Sequence, residues 1–339
     1  MKFPTRIFVI LMVGAIALIG GLNFSNIWAG DATDVKQAKT EGNLVWYTSM
    51  HIGNSQVLLK KFEEKYPFIK ATLFRSTSEK VLNKITTEAL AGSSTWDVTN
   101  LTLFEVEFIK SKGLLQKYDS PENRFFSREY VDRDRQWTDV YDNTLVIAYN
   151  KNMVPPRDLP KKWEDLLEKR WKGQVVLDEG DTLWFAIMMQ VMGEEKGLRY
   201  MRDLAANQTQ LREGHNLINV LIAAGEFPLG LTYGHLAEQS MDKGAPMNWV
   251  GLQPVPVDLH PIAIGKNAPH PNAARLFYDY LLSEEGQKLI MSFRRIPPRN
   301  GMEPEPRRLT QGLKLIPVAP ELASKYGKYV SQFDSIFKK

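Results

Sequence analysis

The chain of 339 residues contains no cysteine, which excludes disulfide staples and lipid attachment through an N-terminal cysteine. It also lacks a strong charge of either sign. The formal net charge is +4, and setting aside residues 1–29, whose only charges are Lys2 and Arg6, leaves +2. So small an excess speaks against nucleic acid or a polybasic membrane surface as partner. The motifs G-x-S-x-G, G-x-x-x-x-G-K and HExxH are missing too, so no recognisable spacing announces an enzyme. Repeats and low-complexity tracts are absent. The one long apolar run, residues 7–22, is shorter than the roughly 20 residues a spanning helix needs.

What is present begins with that run. Lys2 and Arg6 precede it, the chain turns polar at Asn23, and Ile27-Trp28-Ala29 stands before Gly30-Asp31. This is the layout of a secretory signal peptide over residues 1–29, with an uncleaved anchor as the alternative. Export without a lipid anchor suggests a periplasm. The remaining residues, of ordinary globular composition (43% hydrophobic, 24% charged), exceed what one core usually holds, so two lobes are expected.

Strands alternate with helices along the chain. Residues 43–48 read as an apolar strand, 55–66 as a helix with Val57, Leu58, Phe62 and Tyr66 recurring at helical spacing, and 70–74 as a second strand. A helix carrying Val81, Leu82, Ile85 and Leu90 and a third strand at 97–99 follow. Such alternation implies a parallel sheet with right-handed crossovers. The nearly uncharged segment 140–150 fits a strand crossing between lobes. Pro155, Pro156 and Pro160 then open a second α/β series, with a helix at 163–167 and strands at 174–177 and 226–231. Pro254, Pro256 and Pro261 suit an edge or crossover strand over 254–264 better than a central one. A helix over 272–282 and another capped by Ser283 end the series. The expected lobes are 30–145 plus 260–339, and 146–259.

Several stretches together resemble the bacterial extracellular solute-binding proteins of the ferric-iron-binding type. They are Glu41-Gly42-Asn43-Leu44-Val45-Trp46-Tyr47-Thr48, the run from Pro160 through Trp163-Glu164-Asp165-Leu166-Leu167 to Trp171-Lys172-Gly173, His215 with Ala223-Ala224-Gly225-Glu226, and Asn267-Ala268-Pro269-His270-Pro271-Asn272-Ala273-Ala274 with Ser283-Glu284-Glu285-Gly286-Gln287. The resemblance implies a periplasmic-binding-protein type II-like fold, two α/β lobes joined by crossing strands, with a solute held in the cleft between them and no catalytic residues or cofactor. It implies a monomer in the periplasm that delivers its solute to an ABC permease and its ATPase. A sensor partner for a signalling receptor, or an enzyme on the same fold, are the rival readings.

The candidate ligand groups lie in loops after strands, where α/β sheets present them. Thr48, Ser49 and His51 follow the first strand, and Ser76 and Thr77 the second. Asn100 and Thr102 follow the third, Trp184 a strand of the second lobe, and Tyr233 and His235 another. Ser and Thr at helix starts suit an anion, with helix capping as the plainer role. His51 has a surface or helix-start alternative, and Trp184 beside Phe185 and Ile187 reads as core packing. His215 and Arg212 are weaker candidates of the same kind. Ferric relatives place a His where His51 stands and adjacent tyrosines where Tyr233 stands alone, so His51 and Tyr233 are the metal ligands if the solute is ferric iron. They carry a Glu where this chain has Thr102, with Glu105 nearby. Losing two anionic ligands disfavours a hard trivalent cation and leaves a small organic or phosphorus-containing anion equally suited, with ferric iron or a ferric chelate still open.

Overall fold

The computed structural model describes residues 32–338, so the expected signal segment lies outside the described residues. Ten strands form one mixed sheet: β1 (Asn43–Thr48), β2 (Lys70–Arg75), β3 (Val98–Asn100), β4 (Trp137–Asn150), β5 (Val175–Asp178), β6 (Gln210–Arg212), β7 (Leu229–Tyr233), β8 (Met247–Val250), β9 (Val255–Ile264) and β10 (Leu315–Pro317). The order is β2-β1-β3-β9-β4-β7-β5-β6, with β8 on β4 and β10 on β9. Strands β2, β1 and β3 pair in parallel, as do β6, β5 and β7. Two parallel α/β units therefore flank an antiparallel pair, β4 and β9, that belongs to both.

The long, nearly uncharged strand expected at 140–150 is present and begins earlier, at Trp137, and every one of its 14 residues is buried. Strand β9 is the crossover that its prolines allowed, and not an edge. It lies between β3 and β4, and all its residues are buried. Pro261 is tolerated because it pairs with Asp139 where the register shifts between Asp139 and Asp142, so the missing N–H falls where the ladder is already interrupted. The residues at 163–167 form a 3-10 helix, and Leu90, expected on an apolar helix face, is almost fully exposed.

Packing follows the units. Trp46, Phe62, Phe277 and Tyr280 anchor one cluster, with Phe277 edge-on to both Trp46 and Phe62 at 5.0 Å. Val146, Val176, Ile218 and Trp249 anchor another. The segment 260–339, expected within the first lobe, divides. Helices Pro271–Leu282 and Glu284–Ser292 join the Trp46 cluster. Helix Tyr326–Phe337 touches both units: Tyr326 lies edge-on to Phe104 of helix Leu103–Ser111, and Tyr329 and Phe333 lie on Phe185 of helix Thr182–Met192, because these rings are the apolar stripe of an amphipathic helix. Among the described residues no helix is long and apolar enough to cross a membrane.

Candidate functional site

A cavity of about 230 Å³ opens where the loops of the two units meet over β4 and β9. One wall comes from the first unit. Ser49 and His51 follow β1, and Arg75 ends β2. Thr77 precedes helix Ser78–Leu90, and Thr102 precedes helix Leu103–Ser111. The facing wall comes from the second. Asp178 ends β5 and Asp181 and Trp184 follow it, His215 follows β6, and Tyr233 ends β7 with His235 after it. The floor is Tyr141 and Asn143 of β4, Asp258 and His260 of β9, and Arg295. Four of the chain's five histidines line this space.

Of the residues expected from sequence, Ser49, His51, Thr77, Thr102, Trp184, Tyr233 and His235 line the cavity, whereas Thr48, Asn100 and Ser76 do not. Thr48 is fully buried: its hydroxyl donates to the Asn100 carbonyl at 3.0 Å and accepts from the Met50 N–H at 3.0 Å. Asn100 spends its amide on the carbonyls of His260 and Pro261, at 2.7 and 3.1 Å. These two side chains stitch β1, β3 and β9 together beneath the site. Helix starts absorb others. His51 Nδ1 accepts from the Gly53 N–H at 3.2 Å and Thr77 Oγ1 from the Lys80 N–H at 3.4 Å. The Thr102 hydroxyl is taken by Glu105, whose other oxygen accepts from Tyr326 OH at 3.3 Å; burial pushes the Glu105 carboxyl up to about 7.

Tyr233 OH donates to Asp258 Oδ2 at 2.7 Å. Burial first, and the Asp258 charge second, hold this phenol well above its ordinary value. The following residue is Gly234, where a Cβ would meet Thr144 Oγ1 at 2.6 Å, so this backbone accepts no second tyrosine there. Beside Tyr233, His215 sits with its ring centroid 4.2 Å away and its Nε2 3.1 Å from Asp181 Oδ1 and 3.8 Å from Asp178 Oδ2. Burial works most strongly against its charge, but the Asp181 carboxylate together with Asp178 and Asp258 outweighs that and pulls His215 up to about 9.

Sequence reasoning missed Arg295. It is 4% exposed, its guanidinium lies 4.0 Å over the Tyr141 ring, and Nη1 donates to Asn143 Oδ1 at 2.9 Å. Among the described residues its Nε has no hydrogen-bond partner and it makes no salt bridge. His260 stacks on Tyr141 at 4.5 Å. Burial, with Arg295 next, holds both His235 and His260 well below the usual histidine range, so they are neutral. Tyr141 OH, His215 Nδ1, His235 Nδ1 and Asp258 Oδ1 are further buried atoms without a protein partner. Such orphans are rare in folded proteins; these belong to residues that line the cavity, while others lie elsewhere among the described residues. The available signal was polar residues inside buried strands, Asp142-Asn143 and Asp258-Leu259-His260. No group of three or more His, Cys, Asp or Glu side chains among the described residues is placed to hold a metal ion.

The comparisons with known proteins agree with this architecture. Iron uptake protein A1 of Synechocystis is 25% identical over 311 residues, covering 85% of each chain. An uncharacterised protein of Haemophilus influenzae is 26% identical over 270 residues, 74% of this chain and 76% of that one. Iron-bound HitA from Pseudomonas aeruginosa superposes with a TM-score of 0.79 at 22% identity, covering 87% of this chain and 99% of that one. The periplasmic binding protein AfuA from Actinobacillus pleuropneumoniae, with fructose-6-phosphate bound, gives 0.80 at 24% identity, covering 88% and 99%. The family model described as bacterial extracellular solute-binding protein matches residues 104–310, more than half of the chain, and the chain belongs to that family.

Proposed function

We propose that this protein is the periplasmic, solute-capturing component of an ABC importer, and that it closes its two lobes around a small oxyanion anchored on Arg295. One observation carries the choice of solute. A nearly fully buried guanidinium whose only side-chain hydrogen-bond partner is a neutral amide is expensive unless an anion arrives to pair with it. A trivalent cation would meet the opposite: a fixed positive charge, a phenol held protonated on Asp258, and Thr102 in place of a carboxylate.

Ser49, His51, Thr77 and Thr102 from one lobe and Trp184, Tyr233 and His235 from the other are the proposed contacts, with Tyr141, Asn143, Asp258 and His260 beneath. The lobes are 30–145 with the helices of 271–292, and 146–259 with the tail helix packed on it. The signal segment 1–29 directs export, the mature protein acts as a monomer, and the permease and its ATPase receive the solute. Relatives whose names or bound ligands are iron, iron with citrate, or fructose-6-phosphate supply the competing candidates.

A thermal-shift screen of inorganic phosphate, fructose-6-phosphate, citrate, ferric citrate and a ferric salt tests the reading. An anion at 100 times its dissociation constant should add about 2.7 kcal/mol. Stabilisation by the ferric salt alone would overturn it.

A further inference from the structure

A buried arginine ordinarily meets a carboxylate, but the side chain that holds Arg295 is Asn143. A guanidinium has only donors, so the amide must turn its oxygen to Arg295 Nη1, at 2.9 Å. That turn points Asn143 Nδ2 at His260 Nδ1, 3.4 Å away. An amide N–H only donates, so Nδ1 accepts and the ring proton sits on Nε2, 3.5 Å from Asp258 Oδ2. The other tautomer would give Nδ1–H to the Asp258 carbonyl at 3.3 Å, but it strands the Asn143 N–H and sets a bare Nε2 against a carboxylate oxygen. The Asn143 orientation that Arg295 imposes, with the Nε2 side of the ring turned to the Asp258 side chain, selects Nε2–H. The Tyr141 ring completes the circuit, carrying Arg295 at 4.0 Å and His260 at 4.5 Å.

We propose that Asn143 is a positioning and specificity-determining residue of the anion site: it fixes the orientation of the Arg295 guanidinium and, being neutral, leaves that charge free for an incoming phosphate ester or carboxylate. The inference rests on the reading that Arg295 anchors the solute. A carboxylate would fit the same place, since Asn143→Asp changes one amide nitrogen to oxygen, and it would fill the arginine with the protein's own charge. Selectivity for an anion thus depends on an amide where an acid is isosteric. Being neutral, His260 adds no second cation to this circuit and passes the orientation on to Asp258, which in turn holds Tyr233.

The test uses nitrogen-15 histidine NMR on the full chain without solute, where five histidines are few enough to assign by substitution. In the wild type His260 should be the neutral Nε2–H tautomer. Asn143→Asp, which has no N–H to give, should move it to Nδ1–H or to the imidazolium, and Asn143→Ala should not produce the imidazolium. A wild-type Nδ1–H tautomer, or one unchanged by Asn143→Asp, overturns the role of Asn143 and leaves the function proposed above standing. Inorganic phosphate is the second probe. It should shift the Arg295 Nε–H resonance in the wild type and in Asn143→Ala, and at least tenfold more phosphate should be needed in Asn143→Asp. A wild-type resonance that phosphate leaves unmoved removes Arg295 as the anchor and overturns both readings together.

Discussion

Tyr233 gives its hydroxyl proton to Asp258 Oδ2 across 2.7 Å, joining the end of β7 to the middle of β9. A ferric site needs that phenol ionised, yet burial and the adjacent carboxylate both oppose ionisation. A ferric salt should therefore produce no visible phenolate-to-iron band. Tyr233→Phe should weaken capture of the anionic solute by about 0.5–3 kcal/mol, the span from a neutral to a charged hydrogen bond. A coloured complex that disappears in Tyr233→Phe would show the opposite.

If Arg295 anchors an anion, as proposed, it is costly to keep without one, so function and stability should separate there. Arg295→Met removes a buried charge while retaining a flexible apolar stem against Tyr141. The solute-free variant should gain about 1–2 kcal/mol in urea unfolding, while solute no longer raises its midpoint. A variant that is less stable and still binds would place the guanidinium in a purely structural role.

The pair of His215 and Asp181 gives stability a definite pH sign. His215 is raised from 6.5 to about 9 in the folded protein, so its contribution is complete below pH 6.5 and is lost as pH rises towards 9. The loss is on the order of 3 kcal/mol at most. His215→Asn leaves Asp181 buried beside no cation, so it should be clearly less stable at pH 6 and approach the wild type near pH 10. Equal gaps at both pH values, from urea midpoints, would mean that His215 contributes packing alone.

Much of the fold was legible because its signals are local or periodic. Glu41 and the stretch around Asn272 were both visible as motifs, and the structure shows what connects them: the Glu41 carboxylate accepts the N–H groups of Asn272 and Ala273 at the start of helix Pro271–Leu282. That loop residues such as His51 and Tyr233 line the cavity was legible, since strand ends are where such groups gather. Arg295, Asn143 and His260 were not. They act from a late loop and from two strands that read as core, and only the tertiary pairing of β4 with β9 brings them under one cavity. The packing of the tail was hidden for a similar reason, as nothing in residues 326–337 names Phe185 as the surface their aromatic stripe meets.

Lys80 and Glu213 supply the last prediction, on lobe closure. Their side chains meet at 2.6 Å on the rim of the cavity, one from helix Ser78–Leu90 and the other from the loop after β6, so they face each other across the two units. Both are largely exposed, and such a pair shifts populations by no more than about fivefold and weakens with salt. If the lobes close on solute as proposed, the pair reports closure and is a weak brake on opening. Because the chain has no cysteine, Lys80→Cys with Glu213→Cys creates a unique thiol pair for a short bismaleimide. Cross-linking should be faster when the solute found in the screen is present, as expected for hinge closure, and small-angle scattering should show a smaller radius of gyration. Glu213→Lys should enlarge the solute-free particle and speed solute release a few-fold, and adding Lys80→Glu should restore both. Cross-linking at the same rate with and without solute, together with an unchanged radius, would mean that the cavity fills without any movement of the lobes.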